Sequence, residues 1–135
     1  MEGNLKDRIV NEMKADYKSA LERNFEIAKR LLKVTDQGKV HIIRKEKLTG
    51  KEQILIYLIG KRYAKEAGLT ETENVANKEL MEELGVPQGS VLPWTKDLRD
   101  SNKIRQADPG IHYIPLNLIE STLAELTKKT GVDQL

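Results

Sequence analysis

The chain contains no cysteine. This excludes disulfides and thiolate zinc sites, and nothing points to an oxidising compartment. Aromatic residues make up only 4% of it, so a core of Leu, Ile and Val is expected, as helical bundles tend to have. The longest apolar run is 54–59, six residues, against roughly 20 for a membrane-spanning helix. The opening MEGNLKDRIVNEMK mixes both charges and lacks the apolar centre of a secretion signal. A soluble, cytoplasmic protein is the expectation. Catalytic spacings are missing too: there is no P-loop, GxGxxG, GxSxG or HExxH. The two histidines, His41 and His112, fall in predicted strands without metal-ligand spacing. Carboxylates such as Glu71, Glu73, Glu82 and Glu83 stand at helix-surface spacing. No enzyme, cofactor or metal is therefore expected.

What is present is charge, unevenly spread. Of 135 residues, 33% are charged and 39% hydrophobic, and the net charge is only +2. Residues 37–68 hold 8 basic and 3 acidic side chains, whereas residues 69–104 hold 4 and 7. A positive field, if a partner needs one, must come from the first stretch or from a second subunit.

Apolar periodicity divides the chain in three. Residues 1–36 are expected to be a long N-terminal helix over 4–34. It is capped by Asn4, carries Leu5, Ile9, Met13, Tyr17, Ala20, Leu21, Ala28, Leu31 and Leu32, and ends at Asp36-Gln37-Gly38. A helix of that length, about 46 Å at 1.5 Å per residue, outruns a small domain. It either folds back on its own domain or serves as a dimerisation arm, the reading preferred here. Residues 37–115 are the central domain. KVHIIR at 39–44 reads as a short strand, and Thr49 with Glu52 as the capping box of a helix reaching Ala67. Residues 69–76 read as a polar connection. Residues 116–135 are a C-terminal segment with an amphipathic helix over 116–130, led by a possible Asn117–Glu120 cap pair. It packs on the domain or joins the dimer interface.

The segment 77–115 decides the function class. Asn77 caps a short helix over 78–84, Gly85 ends it, and Pro87 opens a second helix over 88–101 that carries Val91, Thr95 and Leu98 on one face. A hairpin over 104–114 follows, broken by Asp108-Pro109-Gly110. Helix, tight turn, helix and hairpin form the layout in which the second helix enters the DNA major groove. Gln88, Gly89 and Ser90 then stand at the reading end. Gln suits adenine, Ser reads either partner, and Gly lets the backbone approach. Leu92 and Pro93 face a thymine methyl, Lys96 and Arg99 reach phosphates, and Arg105 and His112 contact DNA from the wing. Trp94 is expected at the edge of the core.

NKELMEELGVPQGSVLPWTKDLRDSNKI followed by RQADPGIHYI resembles the winged helix-turn-helix superfamily of transcriptional regulators over residues 50–115. The proline inside the second helix is similar to some archaeal members. The flanking helices resemble those of MarR-like and PadR-like repressors by layout only. The chain departs from the pattern at Thr95, where an apolar residue is common, and in its acidic 69–104 segment. The resemblance implies a mainly α fold with a small β-hairpin and binding to double-stranded DNA as a homodimer through the N-terminal and C-terminal helices. The alternative is a protein–protein interaction adaptor on the same fold.

Overall fold

In the computed structural model, which describes residues 4–14 and 19–131, the apolar spacing at the start of the chain does not yield one long helix. It yields α1 (Leu5–Arg8), continued by a π-helical turn over Ile9–Met13, then α2 (Ser19–Arg23), α3 (Phe25–Leu31) and a strand, β1 (Leu32–Val34). Asn4 caps α1 as expected, accepting from the Asp7 amide at 3.0 Å. The helix stops at Lys14, where the backbone is extended (φ −70, ψ 124). Tyr17, counted in the apolar stripe, lies outside the described residues.

Two tertiary causes divide the rest. The buried Asn24 amide donates to the Ala20 carbonyl at 2.8 Å and to Glu120 at 3.0 Å, which turns the chain between α2 and α3. Beyond Leu31 the backbone extends to pair with β2 (Val40–Ile42), in the register Leu32↔Ile42 and Val34↔Val40. Asp36-Gln37-Gly38 is therefore the turn of a hairpin and not a helix end. Gly38 adopts φ +75 there, and its amide donates to the Thr35 carbonyl at 2.9 Å. Alternation puts Leu32, Val40 and Ile42 inward and leaves Lys33 and His41 exposed.

The central helix α4 (Gly50–Glu66) begins with the expected capping box, in which the Thr49 side chain and Glu52 satisfy each other's backbone amides. Residues 54–59 are buried all round because α4 touches β1, β2, α5, α6 and α7. Gly60 sets its distance from the hairpin: a Cβ there would stand 2.5 Å from Val40 Cγ1. Valine is stiff at χ1, so the strand itself would have to move. Gly60→Ala is expected to cost about 1–3 kcal/mol, as overpacked cores do. Urea denaturation measures it, and an unchanged midpoint would count against the close approach.

The next residue, Lys61, is buried. Its ammonium donates to the Gly38 carbonyl at 3.0 Å and lies 3.1 Å from Glu79 Oε2. The same oxygen accepts from the Tyr57 hydroxyl at 2.5 Å, and Glu79 Oε1 is 3.6 Å from Lys39. Burial, then the neighbouring Glu79, pushes the Tyr57 phenol far above its ordinary value. These four side chains tie the hairpin, α4 and α5 together.

Next come β3 (Val75–Ala76), α5 (Asn77–Leu84), α6 (Gln88–Asp100), β4 (Arg105–Asp108) and β5 (Ile111–Tyr113). The sheet order is β3-β5-β4, antiparallel, with a bulge between Gln106 and Asp108. Gly85 ends α5 in the left-handed conformation (φ 69, ψ 37). Pro93 is tolerated inside α6 as its sixth residue. Thr95, in the place of an apolar residue, is 1% exposed yet satisfied, donating to the Val91 carbonyl at 2.9 Å.

The last helix, α7 (Leu116–Thr130), buries Ile119, Leu123 and Leu126 and packs on α2, α3 and α4. Its apolar face is used within the chain, so the expected homodimer contact through the C-terminal helix is not available on that face. Glu120 does not pair with Asn117 as a cap. It accepts from Asn24 and Arg23 instead. The protein is thus mainly helical with two small antiparallel sheets, and one core cluster runs from Leu21 to Leu126.

Candidate nucleic-acid interface

Helix α6 divides as its spacing predicts. Val91, Thr95 and Leu98 are buried, whereas Gln88, Gly89, Leu92, Pro93 and Lys96 are exposed and Ser90 and Arg99 are half-buried. At Gly89 the space a Cβ would enter is open, so the chain there is accessible to a ligand. Leu92 is 44% exposed, a large apolar side chain left on the surface.

The charges of this face are matched. The Lys96 ammonium bonds Asp100 at 2.7 Å. That bond holds Lys96 above the ordinary lysine value and Asp100 below the ordinary carboxylate value. In an exposed pair the bond is weak in water, so a phosphate can displace the carboxylate. Asp97 lies 3.1 Å from Lys51, which belongs to α4.

That second pair answers a question the sequence leaves open: where the basic stretch lies. Arg44 takes a left-handed backbone (φ 60, ψ 35) and starts a single 3-10 turn, Lys45–Lys47. Lys45 donates to the Leu84 carbonyl at 2.9 Å, at the end of α5. The Trp94 indole of α6 occupies the room left by Gly50, with ring atoms 2.3 to 2.7 Å from where a Cβ would stand. This confirms Trp94 at the core edge. Lys129 of α7 bonds Glu52 at 2.7 Å. Lys45 therefore lies at the end of α5 and Lys51 against the C-terminal half of α6, while Lys47 is exposed on the short turn next to Lys45. The charge count along the chain is the signal for these residues, but residue patterns alone do not attach them to α6.

The hairpin offers less than expected. Arg105 is exposed on β4, opposite Tyr113. His112 is not available as a DNA contact: it is 1% exposed. It sits on the middle strand, flanked by Val75 of β3 and Gln106 of β4. Its Nε2 lies 2.7 Å from Asn77 Oδ1, an acceptor, so Nε2 carries the proton, while Nδ1 is buried without a partner. Burial, with the Arg99 charge second, pushes its pKa down to about 4. Asn77, expected to cap α5 through its side chain, is the first helical residue and spends its carbonyl on this histidine.

Among the described residues no group of His, Asp and Glu is arranged to hold a metal ion, and no helix is long and apolar enough to cross a membrane. Comparison with models of known families, with curated proteins and with solved structures returns no match for this chain.

Proposed function

We propose that the chain is a DNA-binding protein, a transcriptional regulator acting as a homodimer, with α6 as recognition helix and the β4–β5 hairpin as wing. The succession α4, β3, α5, α6, β4, β5 supports this reading, since it follows the order of a winged helix-turn-helix. The observation that carries it is the attachment of basic residues to the α5–α6 pair, Lys45 to the Leu84 carbonyl at the end of α5 and Lys51 of α4 to Asp97 of α6. The acidic α5–α6 segment lacks a positive field of its own, and neighbouring lysines supply the phosphate neutralisation that DNA affinity requires. Gln88 and Ser90 at the start of α6 are the base-reading candidates. Lys96 and Arg99 serve phosphates.

Fluorescence anisotropy on duplex DNA across a salt series tests this. Lys47→Ala combined with Lys51→Ala should weaken binding to every duplex and lower the salt slope by about 2. Gln88→Ala should instead narrow the gap between a selected and a random duplex. No affinity at low salt, or a flat salt dependence, would sink the proposal.

A second reading, a protein–protein adaptor on the same fold, is favoured by one observation. The exposed face of α6 has its carboxylates matched and presents Leu92 beside Pro93. A stoichiometric protein partner, lost with Leu92→Asp and accompanied by no DNA retention, would establish it.

A further inference from the structure

Two unpaired surfaces lie in the first third of the chain. All described residues from 4 to 14 are exposed, including Leu5 (69%), Ile9 (43%), Val10 (49%) and Met13 (78%). Leu5, Ile9 and Met13 recur at four-residue steps, so they share one helical face. An isolated helix of this length is marginal in water, and its apolar stripe calls for a partner. The second surface is a groove along α2 and α3. Its two adjoining cavities, about 290 and 730 Å³, share Phe25 and Tyr63, and Phe25 is 51% exposed.

We propose that the arm Leu5–Met13 of one copy seats in this groove of a second copy, reciprocally, to make a twofold dimer. This rests on the dimer half of the function proposed above and not on DNA contact. Charge sets the occupant and its direction. One end of the groove carries Lys29 and Lys33, and the other carries Glu22, Glu26 and Glu66. The arm is net positive at its start, with Lys6 and Arg8 about Asp7, and Glu12 near its end is offset by Lys14. With its start at the acidic end, the positive start meets opposite charge, and the negative end of its helix dipole faces the lysines.

The same direction disfavours the arm's own groove. Met13 would lie near Lys33, and the chain would then return to Ser19 at the acidic end. The six steps from 13 to 19 span at most about 20 Å, and the path along α2 and α3 from 19 to 31 is up to about 18 Å, so the link would run almost fully extended. A second copy meets the charge pattern without stretching the link, and a twofold contact buries each patch twice.

The absence of cysteine makes the test direct. Met13→Cys together with Lys33→Cys should oxidise to a product of twice the chain mass. Leu5→Cys with Lys33→Cys should not. Light scattering of the full chain should show a dimer whose dissociation constant rises about 100-fold or more in Ile9→Asp, since a buried isoleucine is replaced by a charge. Circular dichroism should lose no more than the helicity of the arm itself and keep the cooperative melt of the core, because Ile9 lies outside that core. A monomer at every concentration, a disulfide within one chain, or an Ile9→Asp variant that stays dimeric would each overturn the proposal. None of these readouts involves DNA. Failure with DNA affinity intact removes the arm exchange alone, and an intact cross-link without DNA affinity removes the DNA reading alone.

Discussion

Glu79→Ala should destabilise the fold by about 3–5 kcal/mol, the range for removing one member of a buried ion pair. Among the described residues Glu79 is the only carboxylate within ion-pair distance of Lys61, an ammonium on a residue 4% exposed. Without it the charge keeps only the Gly38 carbonyl, and the Tyr57 hydroxyl loses its acceptor. An uncompensated buried charge costs more than the pair contributes. Two companions separate the causes. Glu79→Gln keeps an acceptor for Tyr57 and removes only the charge. Lys61→Met with Glu79→Leu removes both charges and should recover most of the loss. Guanidinium denaturation reads all three. A loss below about 1 kcal/mol for Glu79→Ala would mean that water reaches the ammonium. Because Glu79 joins α5 to the hairpin, its loss should also loosen the helix pair that carries α6, so the DNA affinity proposed above should fall along with stability.

Mild acid is expected to weaken the fold through His112. The imidazole is buried, with one nitrogen bonded to Asn77 and the other unpartnered, so its pKa falls from 6.5 to about 4. Between those values only the unfolded chain takes up the proton. Stability from this group is therefore fully present above 6.5 and is lost as pH falls towards 4. At 1.36 kcal/mol per pH unit, the drop between 6.5 and about 5 is about 2 kcal/mol, before most carboxylates titrate. Thermal denaturation across that interval should show the slope in the unaltered chain and lose it in His112→Gln. An equal slope in both would assign the effect to other groups.

Legibility from sequence followed the range of the interactions involved. The capping box at Thr49 and Glu52, the left-handed Gly85, the buried run 54–59 and the division of α6 into buried and exposed faces all depend on residues within a turn or two. Composition and spacing were sufficient for them. The start of the chain was misread for the complementary reason. Leu31 and Leu32 fit a helical stripe, but Leu32 is extended because β2 offers a strand partner and α4 a surface. Strand preference is decided by such neighbours more than by the residues themselves. The two-residue β3 carries no periodicity to detect, and missing it left His112 on an apparently open wing.

For the candidate interface the division is sharper. Sequence alone determined that the positive charge is concentrated in 37–68 and that polar side chains stand at Gln88 and Ser90, because charge and hydrogen-bonding capacity belong to residue types. Tertiary structure alone decided that part of the basic stretch is attached to α5 and α6. A lysine capping the end of α5, an ion pair to Asp97 and a tryptophan filling the space above Gly50 join segments about forty residues apart. It also decided that α7 folds inward while the arm stays uncovered, since an apolar stripe specifies burial but not which surface buries it.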